Sequence, residues 1–208
     1  CRMYGIILGD GSLNNSNNGS GYISLHTHNK KDMCKFILKY FESRCIQCDM
    51  TVDANTTRIR WNKHIELPFR YNDFYDENKQ KRILPKWLNL PLHKSKQILK
   101  GLIETDGCYN ISELVFDSTS LNLIESVRFL CLKMGILTSG YVRDRVGEKH
   151  YTANGVIENK HIAYCLRIPR TKDICNLMGF EYKKDQFFKF FRPDNLIFSR
   201  VQSIRETT

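Results

Sequence analysis

Two aspartates hold the chemical promise of this chain, because each closes a stretch of the same character. Met3-Tyr4-Gly5-Ile6-Ile7-Leu8-Gly9-Asp10-Gly11 aligns with Leu99-Lys100-Gly101-Leu102-Ile103-Glu104-Thr105-Asp106-Gly107 at an offset of 96. A lone Asp-Gly reads as a turn; the same dipeptide recurring behind the same apolar prefix does not. If the two stretches are helices that pack together, Asp10 and Asp106 are carried to one point. Both would then sit at the negative ends of helix dipoles, where two carboxylates repel unless a cation joins them. Oxygen ligands completed by water suit magnesium, and metal-activated water attacking a phosphodiester is one use of such a site. A calcium loop opening at Asp10 is excluded, since Asn15 stands where that loop needs glycine and Gly21 where it needs glutamate.

The elements that must position the acids repeat as well. Over Ser95 to Asp106, Ile98, Leu99, Leu102 and Ile103 share one helical face, while Gly101 and Thr105 form a small-xxx-small seam. Gly5 and Gly9 give the same seam in the first copy, and small residues four apart let helix backbones approach closely. After the first copy come a strand pattern over Tyr22 to His28 and a helical pattern through Met33, Phe36, Ile37, Tyr40 and Phe41. Leu114 to Ser120 and Leu123 to Met134, ended by Gly135, repeat that order. Further strands fall at Met50 to Asp53 with Arg58 to Trp61, and at Gly140 to Arg145 with Ile162 to Ile168. The asparagine-rich run Asn14 to Ser20 and the pair Asn154-Gly155 supply turns. A polar segment from Asp73 to Arg82, then Pro85 and Pro91, separates the copies.

Composition narrows the function classes. With 41% hydrophobic and 26% charged residues the 208-residue chain is globular, and no apolar run approaches a membrane span. Lysine and arginine exceed aspartate and glutamate by 32 to 22, which points to a polyanion: nucleic acid first, an anionic membrane second. No basic amphipathic helix supports the membrane. The eight cysteines lie mostly in apolar periodic segments, as reduced, buried cysteines do. Cys45 and Cys48 have zinc-pair spacing without a second pair to complete a site. No signal peptide opens the sequence, so an intracellular protein is expected. The start at Cys1, mid-pattern, reads as a piece of a longer polypeptide.

Met3 to Gly11 and Leu99 to Gly107 resemble the two signature nonapeptides of the LAGLIDADG homing endonucleases. The resemblance implies a mixed α/β fold of the α+β type: two pseudo-symmetric αββαββα halves, over residues 1–93 and 94–193, whose antiparallel sheets form a saddle over DNA. It implies a monomer that cuts both strands of a long double-stranded site. Magnesium, replaceable by manganese, would be held by Asp10 and Asp106 with Gly9 and Thr105 beside them. The first copy departs from the signature at Tyr4, Leu8 and Gly9, which are packing positions; the acid is kept.

Polar strand faces supply the DNA-contact candidates: Ser24, His26, His28, Arg58, Arg60, Asn62, Lys63, Arg143, Arg145 and Arg167. The family also places basic residues beside its acids. Lys81-Arg82-Ile83-Leu84-Pro85 resembles one such element, with Lys81 and Arg82 both eligible, and Lys189 before Phe190-Phe191-Arg192-Pro193 resembles another. Residues 194–208, above all Phe198 to Glu206, resemble the opening of an intein's C-terminal splicing region, which suggests an endonuclease embedded in an intein precursor. No C-terminal His-Asn is present, so splicing by this piece is not expected. The rivals on the same scaffold are an RNA-splicing maturase and a DNA-binding regulator that does not cut.

Overall fold

A glycine seam organises the molecule. The computed structural model describes residues 1–15, 19–62, 67–109, 113–152 and 155–183, with the backbone of 190–191 and 198–199. Helices α1 (Arg2–Asp10) and α4 (Leu92–Asp106) pack on each other more extensively than any other pair of helices. A Cβ added at Gly5 would lie 2.2 Å from the carbonyl oxygen of Ile98, and one at Gly101 would lie 2.3 Å from that of Arg2. Backbone meets backbone there, and only glycine fits. Met3, Ile6, Ile7, Leu99, Leu102 and Ile103 are buried around the crossing. At its rim the Arg2 guanidinium donates to both carboxylate oxygens of Glu104, at 2.8 and 2.9 Å.

Each helix of the pair runs straight into a four-stranded antiparallel sheet. The first comprises β1 (Gly11–Leu13), β2 (Gly21–His26), β3 (Cys48–Val52) and β4 (Thr56–Trp61) in the order β1-β2-β4-β3. The second comprises β5 (Gly107–Tyr109), β6 (Glu113–Ser118), β7 (Ser139–Arg143) and β10 (Ala163–Pro169) in the equivalent order β5-β6-β10-β7. Alternation gives each sheet an apolar inner face: Ile23, Leu25, Ile59 and Trp61 in one, Leu114, Phe116, Leu166 and Ile168 in the other. Helix α2 (Lys31–Glu42) buries Met33, Ile37 and Phe41, with Phe41 against Trp61, and α5 (Leu121–Lys133) packs on β6 and β10.

The expected αββαββα order is modified in both halves. In the first, the closing helix is reduced to a 3-10 turn (Tyr71–Asp73) and one turn of helix, α3 (Pro85–Leu88). This connecting segment serves as core instead: Phe69, Phe74 and Trp87 surround the Tyr4 ring, whose hydroxyl donates to the carbonyl of Asp73 at 2.7 Å. In the second half a separate hairpin, β8 (Lys149–Thr152) with β9 (Gly155–Glu158), stands between β7 and β10, and α6 (Lys172–Met178) closes the half. The second motif helix also begins earlier than expected, at Leu92 behind Pro91. Beyond residue 183 the description covers two short paired strands, β11 (Phe190–Phe191) and β12 (Phe198–Ser199). Among the described residues no helix is long and apolar enough to cross a membrane.

Candidate metal centre

Asp10 and Asp106 are the last residues of α1 and α4. Neither Asp-Gly step is a left-handed turn, for Gly11 and Gly107 have φ of −91° and −76°. Glycine is required there by proximity: a Cβ would lie 2.6 Å from the Ile7 carbonyl oxygen at Gly11 and 2.4 Å from that of Ile103 at Gly107. The chain can therefore leave each helix directly into a strand. One residue before each acid, the seam continues as Gly9 against Thr105, with a Cβ at Gly9 falling 3.2 Å from a carboxylate oxygen of Asp106. The two acids thus end on opposite sides of one tight contact.

The carbonyls of Gly9 and Thr105 lie in the last helical turns, where intrahelical partners run out. Both receive lysines. Lys81 Nζ donates to the Gly9 carbonyl. Lys30 Nζ donates to Asp10 Oδ2 at 2.5 Å and to the Thr105 carbonyl at 2.7 Å, reaching from one half to the other. Loss of surrounding water, and then the charge of Asp10, push the Asp106 carboxyl above its ordinary range, while Lys81 and Lys30 pull the other way. Enclosure lowers the Lys81 ammonium, against the pull of Asp106 and Asp10. One edge of Asp106 stays open to solvent, the side from which a substrate could come.

The donors fit a divalent cation. Two carboxylates and two helix-end carbonyls are hard oxygen ligands, and the cluster already holds two ammonium groups. Among the described residues no group of three or more His, Cys, Asp or Glu side chains converges, so a metal here would rely on carbonyls and water beyond its two acids.

Of the basic residues expected beside the acids, Lys81 is there. Arg82 is not: it lines an open groove with Asn15, Tyr75 and Lys79, beside the stacked rings of Tyr71 and Tyr75. Lys189 lies outside the described residues. Lys30 was missed by the sequence reading. The usable signal was its place at the N-cap of α2, a position that favours Ser, Thr, Asp or Asn and that Ser120 fills for α5. Ser120 serves Lys81 in turn, accepting from the Leu123 amide and donating to the Lys81 carbonyl at 2.7 Å.

The outer sheet faces differ. On the first, Ser24, His26, Arg58 and Arg60 point away from the core as expected, with Arg58 bonded to Ser24 and lying 5.1 Å over the Tyr22 ring. Neither arginine has an ion pair among the described residues. On the second face Arg143 is paired with Asp117 at 3.0 Å and Arg167 with Glu113 at 3.5 Å. Two candidates leave the strands: His28 lies in the turn after β2, and Arg145 in the loop after β7, near Glu148. Asn62 is exposed just past β4, and Lys63 lies outside the described residues.

A family model for a LAGLIDADG-like domain matches residues 94–175. No curated protein matches the chain by sequence. Among solved structures, I-DmoI in complex with DNA and manganese has a TM-score of 0.54 at 14% identity, covering 87% of this chain and 96% of its own. The fold is that of the LAGLIDADG homing endonucleases. I-WcaI, a homing endonuclease solved bound to its DNA recognition sequence, matches with a TM-score of 0.53 at 18% identity over 86% of this chain and 79% of its own. The N-terminal LAGLIDADG domain of DUF199/WhiA matches with 0.52 at 14% identity over 86% and 78%. In this chain the central helix pair of that fold is α1 and α4, which end in Asp10 and Asp106.

Proposed function

We propose that this chain is a site-specific homing endonuclease that makes a double-strand break in a long DNA target with magnesium, for which manganese can substitute. It acts as an intracellular monomer with halves at 1–93 and 94–193. The resemblance of residues 194–208 to the opening of an intein's C-terminal splicing region supports placing it in an intein-containing precursor. The observation that carries the reading is the meeting of Asp10 and Asp106 with the helix-end carbonyls of Gly9 and Thr105, an all-oxygen donor set that reaches solvent at Asp106.

In this reading Asp10, Asp106 and the carbonyls of Gly9 and Thr105 would hold the metal, which would supply water activation and charge neutralisation at the phosphate. The chain does the rest. Arg58, Arg60, Ser24 and His26 hold the duplex from the first sheet face, and Arg143 and Arg167 from the second. Lys81, enclosed beside the acids, offers its ammonium to the charge that develops on the phosphate.

The test is selection of cleaved sites from a randomised DNA library with magnesium, followed by the selected plasmid and the Asp10→Asn and Asp106→Asn variants. Each variant loses linear product while still binding DNA; linear product at the wild-type rate from either would falsify the assignment. The alternative, a DNA-binding regulator that does not cut, is favoured by the lysines seated on the acid cluster. It forecasts no selected cleavage at all. An RNA-splicing maturase forecasts intron binding that survives both substitutions.

A further inference from the structure

The Lys30 ammonium lies 2.5 Å from Asp10 Oδ2 and 2.7 Å from the Thr105 carbonyl oxygen, so one cation position is common to a carboxylate of the first half and a carbonyl of the second. These are two of the four oxygens assigned above to the metal. The ammonium sits between the two oxygens, in the space that a divalent ion bridging them would take, and its charge repels a second cation there. We propose that Lys30 is a displaceable internal cation of this site, which holds Asp10 and Thr105 together and must swing away before a divalent ion can enter.

The position of Lys30 allows such a movement. It is the residue before α2, in the turn after β2, rather than inside an element, and its side chain is 22% exposed. The turn has an open side carrying exposed His26 and His28. A released Lys30 therefore stays beside the outer sheet face, where a phosphate can take up its charge. Lys81 is different. Its backbone is fixed by Ser120, and its ammonium contacts the Gly9 carbonyl without a direct bond to either carboxylate. Lys81 meets one assigned oxygen, whose second lone pair is left for a metal, whereas Lys30 bridges two, so displacement is assigned to Lys30 and not to Lys81.

The inference rests on the metal reading of the site, and the experiment separates the two. Purified full chain is titrated with manganese(II) alone, free ion being counted by electron paramagnetic resonance, for wild type, Lys30→Met, Lys31→Met and Asp10→Asn. Lys31 is the exposed next residue, so its loss removes the same charge without freeing the oxygens. Lys30→Met binds manganese at least about ten-fold more tightly than wild type, an effect of about 1.4 kcal/mol, while Lys31→Met stays within about two-fold of wild type. Lys30→Gln, which keeps a hydrogen-bond donor and loses the charge, shifts in the same direction and stands in if the methionine variant does not fold. Equal affinity in wild type and both Lys30 variants, or equal gains from Lys30→Met and Lys31→Met, overturns the displacement while Asp10→Asn still abolishes binding. Manganese binding that is absent throughout, or indifferent to Asp10→Asn, overturns the metal reading as well.

Discussion

Replacing Gly101 by alanine is the smallest change that tests whether the two motif helices meet backbone to backbone. The new methyl would sit 2.3 Å from the Arg2 carbonyl oxygen and 2.8 Å from the Ile6 nitrogen, where ordinary contact begins near 3.4 Å. Both obstacles are main chain, so no rotamer change relieves them, and the helices must part by about 1 Å. A gap of that size forfeits about a quarter to a half of each dispersion contact along the crossing. We therefore place the cost at the upper end of core overpacking, about 3 kcal/mol. Alanine returns about 1 kcal/mol through helix propensity. The net loss of about 2 kcal/mol corresponds to about 4 to 8 °C in melting temperature for a chain of this size. Gln97→Ala, on the exposed side of the same helix, is the control and should stay within about 0.5 kcal/mol of wild type. Calorimetry or thermal circular dichroism on both variants decides the matter. An unchanged or raised melting temperature for Gly101→Ala would refute the close crossing, and with it the physical basis for bringing the acids together.

The sheet faces make a second forecast: Arg58→Ala or Arg60→Ala weakens binding to a mixed-sequence duplex and lowers the salt slope by about 1 each, whereas Asp117→Asn, which frees Arg143, tightens it. Fluorescence anisotropy across a salt series reads both, and a gain on losing either first-face arginine would contradict the assignment. Burial pushes the Cys131 thiol up to about 12, so at pH 8 iodoacetamide should modify exposed Cys1, Cys45 and Cys108 while leaving Cys131 untouched in the folded chain. Peptide mass spectrometry after a timed pulse checks this, and early alkylation of Cys131 would show that the α5 core is not closed.

What the sequence made legible was whatever it states twice. Gly5 with Gly101, and Asp10 with Asp106, could be paired because a repeat sets one copy against the other. The inward strand residues followed from alternation. What escaped depends on chain geometry that local pattern encodes only faintly, as at the Lys30 N-cap, or not at all. Lys30 reaches across the seam with a flexible four-carbon stem, and its sequence neighbours are ordinary helix-start residues. Lys81 and Arg82 are adjacent in sequence, yet one faces the acids and the other a groove, because the segment holding them is irregular and has no period to read. The pairing of Arg143 with Asp117 depends on the register of β6, β10 and β7, and a slip of one residue would have put those side chains on the opposite face. The β8–β9 hairpin is legible only in its turn residues Asn154-Gly155, while β7 and β10, which pair across it, are legible as strands.

The segment between the halves sets terms for recombination. Phe69, Phe74 and Trp87 enclose Tyr4 of α1, and Lys133 of α5 donates to the carbonyls of Leu88 and Leu90 and to the Ser95 hydroxyl. A chimera that joins one half of this chain to a foreign half at residue 93 would keep the aromatic wall with Tyr4 but strip the Leu88 and Leu90 carbonyls of their anchoring lysine and the Lys81 carbonyl of Ser120. Residues 67–95 therefore form a shared inheritance: grafting new DNA specificity onto either half calls for exchanging sheet strands around a retained connector rather than shuffling halves as interchangeable cassettes.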